Sequence, residues 1–216
     1  MGWPGLIGCY SCINGDGTGV FIHDTLRYND GFHVRLEPRT LLLRRAVLAA
    51  QGATNPAQAV EETLEAGRMD TGNNFHAVCQ AAGAFPPAAC LETDDNRDHP
   101  DGTVTIRTSL DLDVSGTELV DALFVTNHHR KRYPPSSCWR YEAMVARAEE
   151  IAAADGAMDL EDALDVMRIV EFEELTVHTI GYRPEDRTLI IRRAGPEQTP
   201  SEDKGIQVPW DVLFPW

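Results

Sequence analysis

The chain has no uninterrupted apolar run of membrane-spanning length, which argues against a transmembrane helix. Its first residues form no basic, apolar leader, and Leu6 stands where a myristoylation signal wants Ser or Thr. Positive charge is scarce: 19 Lys and Arg face 34 Asp and Glu, for a formal net charge of −15. Such an excess argues against a nucleic-acid or anionic-membrane partner. Cysteines are five, scattered and odd in number, which reads as mostly free buried thiols in a reducing, cytoplasmic compartment. The lone CxxC, Cys9 to Cys12, has no second pair at zinc spacing, so neither a metal nor a cofactor is expected. Low-complexity tracts, internal repeats and a domain boundary are all lacking. What remains is 216 residues, 43% of them apolar, enough to bury one large core as a single domain, 1–216.

The richest stretch runs from Asp121 to Tyr141. An apolar run (Ala122, Leu123, Phe124, Val125) leads into Asn127, His128, His129 and the basic triplet Arg130, Lys131, Arg132. A Tyr-Pro-Pro turn follows, and Ser136 or Ser137 opens a helix with Arg140 in its first turn. The reading is strand, polar loop and capped helix N-terminus, a geometry that holds polar groups at a strand's end. Acyl transfer needs such groups, because negative charge develops on the carbonyl oxygen and a fixed Asn N–H can meet it. Taken alone, Asn127 is a turn residue bonding its own backbone. The basic triplet reads as a solvated loop in an acidic chain. Adjacent histidines in an extended segment point to opposite faces, so His128 and His129 do not serve one metal ion together.

The remaining elements follow from period and punctuation. Leu6 to Ile13 and Val20 to Ile22 form a hairpin about Asn14-Gly15-Asp16-Gly17. Thr25 to Pro38 reads as a loop containing Asn29-Asp30-Gly31. A helix after Thr40 places Leu42, Ala46 and Ala49 beside Leu43, Val47 and Ala50, and Gly52 stops it. Asn55 caps a second helix with Pro56 at its first position and Val60 and Leu64 inward. From Gly72 the period becomes two, with Ala88 to Thr93 as partner strand; Asp94 to Gly102 is a charged loop, and Val104 and Ile106 mark another strand. The helix after Ser137 continues through Tyr141, Met144, Ala148 and Ile151. Asp159 caps a shorter helix carrying Leu160, Leu164 and Met167. Leu175 to Tyr182 and Thr188 to Arg192 make a hairpin about Arg183-Pro184-Glu185-Asp186, and the aromatic tail from Ile206 docks. Paired helices between antiparallel strands predict an α+β fold with stacked sheets and outer helices.

Four segments in order carry a family resemblance. Trp3-Pro4-Gly5-Leu6-Ile7-Gly8, then Ile13-Asn14 and Gly17, resemble a WPGLxG…GMNexG segment. Gly72-Asn73-Asn74-Phe75-His76 resembles a GxNxhxxD strand. Phe124 to His128 with Ser137 and Arg140-Tyr141 resembles an xxTNH…SxxRY signature, and Thr176 to Arg192 resembles a TxHSxxxxPxxRxLxV hairpin. Together they resemble the acyl-coenzyme A:6-aminopenicillanate acyltransferase-like family of N-terminal nucleophile hydrolases, related to choloylglycine hydrolases. The resemblance implies a four-layer αββα sandwich and attack on a linear amide C–N bond. It implies an N-terminal Cys nucleophile, freed at a Gly-Cys bond, whose α-amino group is the base; a pKa of about 7.7–8 suits that group to proton transfer near neutrality.

In that family the Asn of the TNH signature lies in the oxyanion hole, here Asn127. The Arg after the Ser orders the nucleophile or binds a carboxylate, here Arg140. The family's nucleophile strand precedes its WPGLxG segment, and this chain begins at that segment, so the expected fold is incomplete at its N-terminal edge. The expected function is part of an amidohydrolase or acyltransferase for small acyl amides, completed by an upstream segment or a separate chain, or assembled as a homo-oligomer. One alternative is cleavage at Gly8-Cys9 to expose Cys9 as nucleophile; another is a non-catalytic binding or assembly module that kept the fold. His23, Asp24, Asn74 and His128 are candidate substrate-binding residues, and Cys12 stands where the family usually has Gly.

Overall fold

A computed structural model describes residues 8–28, 36–69, 71–80, 87–134, 137–172, 176 and 178–215. Residues 3–7 of the first motif, the Asn29-Asp30-Gly31 turn, Ser136 and Leu175 lie outside them. Contacts divide the chain into two compact units, residues 1–137 and 138–216, each with its own antiparallel sheet. The fold is mixed α+β.

In the first unit, β1 (Ser11–Ile13), β2 (Gly19–Tyr28), β3 (Thr71–Val78), β4 (Ala88–Thr93) and β5 (Val104–Arg107) lie side by side in chain order. Asn14 closes the first hairpin. Its Oδ1 accepts from the Asp16 and Thr18 amides (3.1 and 2.9 Å), and its Nδ2 donates to the Val47 carbonyl at 3.1 Å. One asparagine thus ties the hairpin to the first helix. β2 runs on through Tyr28, so Thr25 to Tyr28 are strand rather than the expected loop; the register with β3 breaks after Asp24 and resumes at Tyr28, which pairs with Thr71.

Helix α1 (Arg39–Ala49) buries Leu42, Leu43, Ala46 and Val47, whereas Ala49 is exposed. Gly52 follows with φ 72°, a left-handed value that glycine adopts without strain. Helix α2 (Pro56–Ala66) starts as its sequence dictates: Asn55 Oδ1 accepts from the Gln58 amide at 3.2 Å, with Pro56 at the first position. A Cβ at Gly67 would lie 2.6 Å from Leu42, so a side chain there would push the two helices apart.

Alternation along the strands gives this sheet two unlike faces. Val20, Phe75, Ala77, Leu91 and Val104 form one core with Leu42, Leu43, Val60 and Leu64 of the two helices. Each Val, Leu and Phe among them contributes about 1.5–3 kcal/mol on full burial. The other face carries His23, Asn74 and Glu92 in one cross-strand row and Phe21, His76, Cys90 and Arg107 in the next. A short helix, α3 (Leu112–Ser115), follows β5.

The expected strand at Ala122 to Val125 does not form. Its backbone is bound by side chains instead: Arg107 Nη2 donates to the Phe124 carbonyl at 2.8 Å, and Asn74 to the Thr126 carbonyl at 2.8 Å. Side-chain donors from the sheet thus take the acceptors that a ladder would have used.

The second unit opens with α4 (Trp139–Asp155). Cys138, not a serine, is its N-cap, and Glu142 reaches back to accept from the Cys138 amide at 3.3 Å. Tyr141, Met144, Ala148 and Ile151 are buried as their stripe predicts. Helix α5 (Leu160–Arg168) has a full capping box between Asp159 and Asp162; it buries Leu164 and Val166 and leaves Met167 exposed. β6 (His178–Arg183) and β7 (Thr188–Arg193) form the expected hairpin, and β8 (Ile206–Gln207) pairs with β7. Gly181 lets α5 approach: a Cβ there would meet Leu160 at 3.2 Å. The tail docks through α6 (Trp210–Leu213), whose Trp210 ring stacks on Tyr182 with centroids 6.4 Å apart.

Candidate functional site

Residues 124–132 cross the polar face of the first sheet, and four side chains from the strands hold them there. Asn74 on β3 is fully buried. Its Nδ2 donates to the carbonyls of Thr126 and His128, at 2.8 and 2.9 Å, one on each side of Asn127. Two carbonyls must meet a donor, so this geometry fixes which way the amide points. Asn127 in turn donates through Nδ2 to the backbone carbonyl of Asp24 at 2.7 Å. An amide nitrogen carries two protons, and one proton of Asn127 is used in this bond.

Glu92 on β4 takes the next part of the loop. Its Oε1 accepts from the Arg130 amide and Arg107 Nε, both at 2.9 Å; its Oε2 accepts from the Lys131 and Arg132 amides at 2.9 and 2.7 Å. Both residues of the Glu92–Arg107 pair have side chains with 0% exposure. Consecutive backbone N–H groups converging on one anion form a nest, and here the chain's own carboxylate fills it. Arg132 then turns into the protein, with Nη2 2.5 Å from Asp94 Oδ1 and further bonds to Thr105 and the Asn96 and Gly102 carbonyls. Burial pushes the Asp94 carboxyl up, but the Arg132 hydrogen bond and those of Asn96 and Tyr133 outweigh it and hold it below its usual range.

Five of the candidate residues from the sequence gather here. His23 stands opposite Asn74 in the strand register. The Asp24 carbonyl receives Asn127, and its carboxylate pairs with Arg39. The His128 carbonyl receives Asn74. Arg140 belongs to the other unit, on the first turn of α4, with its guanidinium 5.4 Å over the Phe172 ring. Cys9 forms a disulfide with Cys12, and its backbone N–H donates to the Thr40 carbonyl at 3.1 Å. The nucleophile alternative at Cys9 therefore requires reduction and release of that segment. The other three described cysteines, Cys79, Cys90 and Cys138, are free and buried, as the composition led one to expect.

No family model matches the sequence, and no curated protein matches it.

Electrostatics on this face favour neutral groups over ready nucleophiles. Burial, helped by His23 and Arg107, lowers the His76 imidazole to about 3, so it is uncharged at ordinary pH. Burial pushes the Cys90 thiol up to about 12, which keeps it protonated and unreactive. Among the described residues no group of three or more His, Cys, Asp or Glu is placed to hold a metal ion. No described helix is long and apolar enough to cross a membrane.

The sequence reading missed Glu92, Arg107 and Asp94, and it misjudged Arg132. The basic triplet is not a uniformly solvated loop: Arg132 is 4% exposed, while Lys131 pairs at the surface with Asp111. A signal was present. Glu92 interrupts an apolar strand, and Arg107 ends the next one at a matching inward position, so two opposite charges fell on one buried face.

Proposed function

We propose that this chain is the larger part of an amidohydrolase or acyltransferase that acts on a linear amide C–N bond. An N-terminal Cys from an upstream segment or a separate chain attacks the carbonyl, and its own α-amino group takes the proton. Asn127 supplies a hydrogen bond to the oxyanion; Arg140 orders the nucleophile or holds a substrate carboxylate. His23, Asp24 and His128 line the substrate side of the site; Asn74, expected there too, is fully buried and holds the loop around Asn127 instead. The finer expectation, an αββα sandwich, belongs to the same proposal.

One observation supports this reading above the others. Asn127 is held by side chain and backbone alike, by Asp24 through its amide and by Asn74 through both flanking carbonyls. A turn asparagine serving only its own loop needs no such fixing, whereas a donor that must meet developing charge without reorganisation does.

The test is Asn127→Ala in the assembled, active enzyme. Turnover falls about 10²–10³-fold with little change in substrate binding. If titrated sites of the variant turn over normally while the protein melts early, the oxyanion role is wrong.

A further inference from the structure

We propose that Glu92 is a positioning residue for Asn127, acting through the nest it fills; this rests on the amide-cleaving reading above. A carboxylate offers two acceptor oxygens with two lone-pair sites each, and at Glu92 all four are used: Arg107 Nε and the Arg130 amide on Oε1, the Lys131 and Arg132 amides on Oε2. Only a carboxylate provides two acceptors in one plane. Gln would set an NH₂ against donors, and Asp would fall short by one methylene.

Arg107 extends the hold to the other end of the loop. The guanidinium that meets Glu92 through Nε also donates through Nη2 to the Phe124 carbonyl at 2.8 Å. The segment is therefore gripped at Phe124 and at residues 130–132 by one buried ion pair, with Asn127 between the grips. Asn74 then fixes the carbonyls on each side of Asn127. A merely stabilising pair could join any two strands. This pair makes five such bonds: four go to one loop's backbone, and the fifth links the two charges that grip it. Losing the Glu92 charge frees the 130–132 amides, and the path back to Asn127 is only three residues long.

The experiment compares Glu92→Gln with wild type in two readouts. In the assembled enzyme, kcat falls about tenfold or more with KM nearly unchanged, a partial loss of what an oxyanion donor gives. In an Asn127→Ala background the same change lowers kcat no further, since there is no longer an amide to position. The second readout needs no activity: the Asn127 side-chain amide resonances, with one proton bonded to the Asp24 carbonyl, shift and exchange faster in Glu92→Gln. A folded Glu92→Gln with unchanged Asn127 resonances overturns the proposal, whatever becomes of the amidase reading. Unchanged kcat beside shifted resonances overturns the catalytic link alone and leaves Glu92 as the residue that sets the loop. If Glu92→Gln does not fold, Glu92→Gly titrated with formate replaces it. Formate, but not chloride, refills the nest and restores folding and the wild-type Asn127 signals. Failure of formate to do so overturns the proposal.

Discussion

Replacing Asn74 by Asp changes one atom and should be worse than replacing it by Ala. The Asn74 amide donates to two carbonyls at 2.8 and 2.9 Å from a fully buried position. Ala removes both bonds, a loss of about 1–3 kcal/mol at roughly 0.5–1.5 each. Asp keeps the volume but turns an acceptor toward two acceptors. Left ionised it is a buried charge without a partner, so the folded protein holds it protonated and raises its pKa above the unfolded value of about 3.9. The sign follows. A raised folded pKa means the native state binds the extra proton, so the variant is relatively most stable at low pH. It loses stability as pH rises toward the folded pKa, by about 1.4 kcal/mol per pH unit across that window. Urea denaturation of wild type, Asn74→Ala and Asn74→Asp at pH 5 and pH 8 measures this, with differences from wild type compared at each pH. The Asp variant should fall below the Ala variant at pH 8 and recover toward it at pH 5. An Asn74→Asp protein as stable as wild type at pH 8, or a deficit that ignores pH, refutes the argument.

Other outcomes follow from the same contacts. Phe75→Ala empties the centre of the helix-facing core, where Phe75 is fully buried, and should cost about 3–5 kcal/mol by urea unfolding. The lowered Asp94 carboxyl contributes stability that is present above its unfolded pKa and is lost as pH falls through the depressed folded value. Asp94→Asn should therefore be less stable at neutral pH and lose less on acidification, read by thermal melts from pH 7 to pH 3. In the assembled enzyme Arg140→Ala should weaken binding as well as rate, and Arg140→Lys should recover little because the forked donor geometry is gone; steady-state kinetics decide.

Local rules carried much of the fold. Asn55-Pro56 and Asp159 with Asp162 start helices by chemistry contained within four residues, and period-two alternation marks β3 and β4 on its own. Where the sequence misled, the competing interaction came from far along the chain. The apolar run at Ala122 to Val125 has strand propensity, but Arg107 and Asn74, 17 and 52 residues away, take carbonyls at Phe124 and Thr126. Serine was the obvious cap for α4, yet Cys138 holds that position because Glu142 answers its amide.

The candidate site divides in the same way. Asn127, Asn74, His23, Asp24 and His128 were nameable because the short polar motifs that carry them are local in sequence. Glu92 and Arg107 are recognised only once the register puts both on one buried face, and Asp94 only once Arg132 folds onto it from 38 residues away. Arg132 was hidden by its neighbours. In a run of three basic residues, only the fold separates the one that is buried with Asp94 from the one that meets Asp111 at the surface.

Under the proposed function, catalysis needs a Cys strand besides the described sheet. This is tested by assaying a panel of N-acyl amino acids and phenylacetyl or penicillin-type amides with two preparations. One is the chain alone; the other is the chain together with the segment encoded immediately upstream of it. The expected result is no turnover by the chain alone, and turnover by the pair that is abolished when the segment's leading Cys is changed to Ala. Turnover by the chain alone that disappears in Cys9→Ala, or none from either preparation, contradicts it.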